Sequence, residues 1–233
     1  MPVQDSVRRR IIVFMSGVSD IFTPAAEAEI RAAVDRAEEG TAGEIVPFVV
    51  AQSDSYEGSL WKGATFGALS LSLVAAAVWS VYQPWGPPLV AWLIAPPLVG
   101  ASLGFLAAGA VPALRRVLIG AEVMETRVRR RASVAFLEEE VFRTRERTGI
   151  LLFLSLFERR ALVLGDAGIN RKVREEEWEA LVSRLAAGIH DRRAVAALVM
   201  AIEECGDLLR RRGVEVRPDD MDELSDELRR RER

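Results

Sequence analysis

The stretch that decides the fold runs from Gly63 to Leu114: GATFGALSLSLVAAAVWSVY (63–82), QPWGPP (83–88) and LVAWLIAPPLVGASLGFLAAGAVPAL (89–114). These 52 consecutive residues hold no Asp, Glu, Lys or Arg, although the 233-residue chain carries 31 basic and 34 acidic side chains. An α-helix rises about 1.5 Å per residue and the hydrocarbon layer of a bilayer is about 30 Å thick, so about twenty apolar residues suffice to cross it. Residues 63–82 form one such run and 89–114 a second, longer one. The segment between them contains Pro84, Gly86, Pro87 and Pro88, which are turn formers, and Trp85, an interfacial residue. The block therefore reads as a transmembrane helical hairpin. Pro96 and Pro97 remove two backbone donors from the second helix and predict a kink there.

Gly63-x-x-x-Gly67 and Gly100-x-x-x-Gly104 place small residues one turn apart, where two backbones can approach closely. Three readings fit such a stripe: contact with the other arm of the same hairpin, contact with a helix of another protein, or a chance spacing in a segment rich in Ala and Gly. Orientation follows from the flanking cations. Lys62 precedes the first span, Arg115, Arg116, Arg127, Arg129, Arg130 and Arg131 follow the second, and the connecting turn has none. Both termini are thus expected in the cytoplasm, with the protein in the inner (cell) membrane as a two-span chain. Near the start, Arg8-Arg9-Arg10 and the apolar Ile11 to Met15 imitate a secretory signal, but the apolar run is too short for one. It reads as a local strand or a membrane-surface anchor.

A hydrophobic share of 50% with 28% charged residues excludes a disordered or collagen-like chain. One Cys and one His exclude an intrachain disulfide and a Cys/His zinc site. Cys205 shares a helix face with Leu198, Ile202 and Leu209 and reads as a packed core thiol. His190, beside Asp191 at a helix junction, reads as a cap or a surface residue.

The flanking segments predict an α/β domain. Thr23-Pro24 is a helix start, with a capping hydroxyl and Pro at the first helical position, and the helix should end near Gly40. Glu44 to Ala51 is apolar and β-branched and reads as a strand, and Pro47 predicts an unpaired side on it. Gly120 to Arg147 reads as a helix with Val134, Leu137 and Val141 on its apolar face, continuing the second span. Gly149 to Leu156 and Arg160 to Gly165 form an antiparallel hairpin through Phe157-Glu158-Arg159, the first strand being central because it is apolar on both faces. Glu158-Arg159-Arg160 reads as an exposed turn. Trp178, Leu181, Val182, Leu185 and Ile189 mark one further helix and Leu198 to Leu209 another. The organisation is residues 1–62 and 115–213 as two parts of one cytoplasmic domain, 63–114 as the membrane insertion, and 214–233 as a charged tail, disordered or loosely helical.

Thr41-Ala42-Gly43-Glu44-Ile45-Val46 before a strand, followed by Gln52-Ser53-Asp54-Ser55-Tyr56, resembles the opening of a TPM domain. Phe142 with Thr144, Thr148 to Phe153, Glu158-Arg159-Arg160 and Asp166-x-Gly168-Ile169 are similar to the later signature of that family, in the same order, and the membrane-inserted bacterial subgroup carries two spans at this point. The resemblance implies a small mixed sheet sandwiched between helices. It also implies roles that differ between branches: repair of photosystem II and an acid phosphatase activity in plant thylakoids, an auxiliary subunit of ligand-gated channels in animals, and binding of divalent cations such as calcium in some members.

A phosphatase needs a nucleophile or activated water and a clamp for phosphoryl oxygens. The candidates are Glu44 at the strand start, Ser53 and Asp54 past its end, and Asp166 with Asn170 in the loop 165–170, where a helix starting near Asn170 would offer N–H groups to an anion and Asp166 would ligate a cation. The structural reading of the same loop is an Asx-type turn at Asp166, a positive φ at Gly168 and a cap at Asn170. Arginine supplies 29 of the 31 basic residues, and the run 127–131 lies just past a span, so lipid headgroups are the expected contact and nucleic acid is not. The expected function is a membrane-anchored accessory, assembly or maintenance subunit of a larger membrane protein complex, and the resemblance implies an energy-transducing or photosynthetic one. The alternative is a metal-assisted, acid-phosphatase-like hydrolase.

Overall fold

The computed structural model describes residues 18–82, 89–191, 193–214 and 224–231. Arg8 to Met15, the turn 83–88 and most of the acidic tail lie outside the described residues. The rest divides into two compact units, one of residues 55–124 and one of residues 18–54 with 125–231.

The first unit is built on two long apolar helices, α3 (Glu57–Tyr82) and α4 (Leu89–Ala110), followed by the short α5 (Pro112–Ile119). The four glycines of the two small-residue stripes meet each other within the hairpin. A Cβ added to Gly67 would lie 2.1 Å from the Gly100 carbonyl oxygen, and one added to Gly104 would lie 2.1 Å from that of Gly63. Trp61 packs edge-on against Phe105 with ring centroids 5.7 Å apart, and Trp79 likewise against Trp92 at 5.8 Å. Leu69, Leu73, Leu93 and Leu103 point outward and are exposed. The second apolar helix does not run on into the following one. Val111 is extended, as a residue before proline prefers to be, Pro112 opens α5, and Gly120 at φ 87° ends it.

The second unit is a mixed α/β domain. The helices α1 (Val18–Ile21) and α2 (Pro24–Glu38) lead into strand β1 (Glu44–Val50). Thr23 caps α2 through its hydroxyl, which accepts from the Ala26 N–H at 3.3 Å. After α6 (Ala121–Glu138) come β2 (Gly149–Ser155), β3 (Arg160–Gly165), the four-residue α7 (Ala167–Asn170), α8 (Glu175–His190), α9 (Ala194–Arg211) and β4 (Arg229–Arg231). The sheet order is β3-β2-β1-β4, with β2 and β4 parallel to β1 and β3 antiparallel to β2.

Side chains alternate across this sheet, and both faces are covered. Val46, Phe48, Val50, Leu151 and Phe153 pack under α6, with Phe48 stacked on Phe153 at 5.7 Å. Ile45, Val49, Ile150, Leu152 and Leu154 pack under α2, α8 and α9. Every residue of β2 is buried, as a central strand covered on both sides must be. Cys205, Leu198, Ile202 and Leu209 are fully buried together. Pro47 pairs with Leu152 on one side, and pairing with β4 begins only at Phe48, so the strand has its unpaired stretch where proline has no N–H to offer.

Two expectations need correction here. The buried face of α6 is Val128, Ala132 and Ala135, while Val134 and Leu137 are exposed. Small alanines let the helix lie close on the large Phe48 and Phe153, which apolar periodicity alone does not reveal. The tail is not wholly loose either. Its arginine triplet forms β4, held by Ala51 N–H to the Arg231 carbonyl at 3.1 Å, by Arg229 and Arg231 on Glu139, and by Arg230 on Glu27 at 2.7 Å. Strand pairing uses backbone groups, and alternating arginines find a carboxylate on each face.

Candidate functional site

The predicted carboxylates sit at two ends of one sheet. Glu44 opens β1 beside Gly149, and Asp166 follows β3 with its N–H on the Gly149 carbonyl at 2.9 Å, so these two share an edge. Asp54 lies past the far end of β1, a seven-residue strand that spans about 20 Å. The three therefore do not converge on one substrate.

At the Glu44 end Phe142, Thr144, Thr148, Gly149, Asp166 and Gly168 of the later motif come together, whereas Glu158-Arg159-Arg160 lies at the opposite end. The Thr144 hydroxyl accepts from the Thr148 N–H at 2.8 Å, and Gly149 passes so near Val141 that a Cβ would lie 2.0 Å from its carbonyl oxygen. Asp166 is buried. One of its oxygens accepts from the Ala167 N–H at 2.6 Å and the other meets Arg147 Nε at 2.7 Å, while the Arg147 guanidinium lies over the Phe142 ring. Gly168 donates its N–H to the Arg147 carbonyl at 2.9 Å, and a Cβ on it would lie 2.3 Å from the Glu146 carbonyl oxygen. The glycine is thus required by close approach, and the positive φ expected of it is not found. Asn170 ends α7, with its side-chain amide donating to the Gly165 carbonyl at 2.6 Å. It does not start a helix. The next long helix opens with Glu175, Glu176 and Glu177, three negative charges that repel an anion from its N-terminus. Glu44 is half-buried at the strand start.

At the opposite end, outside the carboxyl termini of the parallel strands β1 and β2, the chain forms a second polar cluster. Their register places Val50 beside Ser155, so the exits of both strands run together, with Leu156 N–H on the Val50 carbonyl and Phe157 N–H on that of Ala51. Glu158 folds back into this gap and is 4% exposed. Its carboxylate accepts from the Ser53 N–H at 2.8 Å and from the Ser155 hydroxyl, and the Ser53 and Ser155 hydroxyls are 2.8 Å apart. Asp54 pairs with Arg127 at 3.2 Å. Glu158 is consequently no exposed turn residue. Ser155 and Glu158 were not among the predicted site residues, because burial of that glutamate depends on a partner more than a hundred positions away. Its place in the short connection between two strands, residues 156–159, is the sequence signal.

The arginine run beyond the hairpin is partly used by the domain itself. Arg131 lies over the Phe48 ring, 5.3 Å from its centroid, and pairs with Glu138, while Arg127 holds Asp54. His190 is exposed, at the end of α8. Burial, with a smaller contribution from Glu38, pushes the Cys205 thiol pKa far up and keeps it protonated. Among the described residues there is no group of three or more His, Cys, Asp or Glu side chains placed to hold a metal ion.

These features define a class: an α/β domain with a four-stranded mixed sheet, whose chain departs after the first strand into a two-helix apolar hairpin and then returns to complete the sheet. No family model matches the chain, and no curated protein does. Among solved structures it is similar to that of the BA42 protein from the psychrophilic bacterium Bizionia argentinensis, with a TM-score of 0.56 and 17% identity over 93% of this chain and 100% of that one. At that identity the likeness concerns the fold.

Proposed function

We propose that this protein is a membrane-anchored accessory, assembly or maintenance subunit of a larger membrane protein complex, a TPM-type domain tied to the bilayer by its internal hairpin. The observation that carries the reading is the hairpin. Its two helices pack closely on each other at their glycines and present leucines, valines and aromatics outward, with only 6% of each apolar window buried. A surface of that extent in water would be strongly unfavourable, at about 25 cal/mol per Å² of apolar area, whereas lipid covers it without cost. The aromatic pairs agree in scale, since Trp61 and Trp79 are separated by about 27 Å along the helix, close to the hydrocarbon thickness.

Lys62, Arg115 and Arg116 flank the open end of the hairpin, which supports a cytoplasmic location for the α/β domain in the inner membrane. Lipid and other membrane subunits are its partners in this reading, and nucleic acid is not. The motif residues at the Glu44 end support a structural role for that edge, because Asp166 is engaged by Arg147 and Ala167. Purification from native membranes in mild detergent tests the proposal. Stoichiometric partners, retained in Asp166→Ala, are expected. Recovery as a partner-free monomer with steady, metal-dependent phosphatase turnover would overturn it in favour of the hydrolase.

A further inference from the structure

Helix α5 leaves apolar side chains exposed while a cation on its other side is held against α3. Of its eight residues, Ala113, Leu114 and Val117 form the outward arc, with Val117 77% and Leu114 37% exposed. Arg115 turns the other way. Arg115 donates to the Ser55 carbonyl and, at 3.4 Å, to the Ser59 hydroxyl at the start of α3, and Lys62 of α3 donates to the Leu118 carbonyl at 2.9 Å. A helix on the surface of a water-soluble protein buries its apolar stripe and turns its charges out. Helix α5 buries Ile119 but leaves Leu114 and Val117 exposed, with Arg115 engaged at the base of α3.

The occupant is indicated by continuity. Leu103 and Leu106 on α4, Val111 at the break, and Leu114 and Val117 on α5 are all exposed, and no charged residue interrupts the series from Leu103 to Leu114. Trp61, 69% exposed and packed on Phe105, marks the same end of the hairpin with the residue type enriched at membrane interfaces. We infer that α5 is an interfacial helix, lying in the lipid monolayer at the open end of the hairpin with Leu114 and Val117 inserted among the upper acyl carbons. This rests on the membrane reading of α3 and α4. The Pro112 break turns the chain from spanning the bilayer to lying in it. The arginine held on Ser55 and the lysine held on Leu118 then fasten the helix to the base of α3 from the aqueous side.

The fully buried Cys205 makes site-selective labelling possible in the full-length protein. Val117→Cys and, separately, Leu73→Cys, which sits on the outward face of α3, are labelled with an environment-sensitive fluorophore and reconstituted in phosphatidylcholine–phosphatidylglycerol vesicles. Lipids carrying a shallow or a deep nitroxide and aqueous iodide serve as quenchers. The label at residue 117 is expected to be blue-shifted, quenched more by the shallow nitroxide than by the deep one, and shielded from iodide, as for an apolar face buried about 5–10 Å below the headgroups. The label at residue 73 should be quenched most by the deep nitroxide. An iodide-accessible residue 117 together with a deeply quenched residue 73 overturns the interfacial helix and leaves the hairpin in the membrane. Loss of lipid quenching at residue 73 overturns the membrane reading itself, and the interfacial helix with it.

Discussion

Gly67 and Gly100 face each other across the hairpin so closely that a Cβ on Gly67 would lie 2.1 Å from the Gly100 carbonyl oxygen, and one on Gly100 would lie 2.2 Å from that of Gly67. Neither contact can be relieved by a rotamer change, because the obstructing atom is backbone. Gly67→Leu should therefore force the helices apart. Spin labels at residues 73 and 93 are expected to move apart by about 2 Å or more. The outward-facing Leu69→Ala should leave the distance unchanged.

Close approach also makes a prediction in the α/β domain. Gly168→Ala would push a methyl group onto the carbonyls of Glu146 and Arg147, and should destabilise the domain by about 1–3 kcal/mol. Gly58→Ala, in the first turn of α3 with open space around it, should be neutral or stabilising by up to about 1 kcal/mol. Thermal unfolding in detergent compares the two directly.

Glu158 joins the exits of β1 and β2. Glu158→Ala strands the Ser53 N–H and leaves the Ser155 hydroxyl only that of Ser53, at an expected cost of about 1–3 kcal/mol, whereas Glu158→Gln keeps one acceptor and should cost less. An alanine variant as stable as the parent would show that the clamp contributes nothing.

The pH dependence has a specific origin at Glu177. The hydrogen bond from Arg212 holds this carboxyl below its ordinary value of 4.5, with Arg174 helping. A group whose pKa is depressed on folding stabilises above its unfolded pKa, and that contribution is lost as pH falls through the folded value. Arg212→Gln should raise the Glu177 pKa toward 4.5 and weaken the acid limb of stability, with the titration followed by carboxyl-carbon NMR.

Cys205 should be chemically silent in the folded protein. Desolvation raises its pKa and no reagent can reach it, so modification by an aromatic disulfide is expected to be about a hundredfold or more slower than in the urea-unfolded chain. Fast labelling of the native protein would contradict the packed core described for α9.

Local rules made much of the fold legible. The capping Thr23 with Pro24, the β-branched run of β1, the doubly apolar β2 and the short turn to β3 are each specified by residues adjacent in the chain, and each appears where that chemistry places it. The glycine stripes were legible as close-packing surfaces, since only a missing Cβ permits such contact. The candidate site was less so. Glu44, Asp54 and Asp166 were recognisable as carboxylates next to strands, but which end of the sheet each occupies depends on strand direction.

The sequence by itself determined where the chain is apolar enough to form the hairpin and where α2, β1, β2, β3, α8 and α9 lie, because those properties are set by neighbours within a turn or two. Tertiary structure alone decided that Arg229 to Arg231 form a strand, that Glu158 is buried, and that α6 lies on its alanines with Val134 left outside. In each case a distant segment supplies what the local sequence lacks. β1 offers a free backbone edge to an arginine triplet, and Ser53 offers an N–H to Glu158. Phe48 and Phe153 fill much of the space under α6, and the small Ala132 and Ala135 face them there.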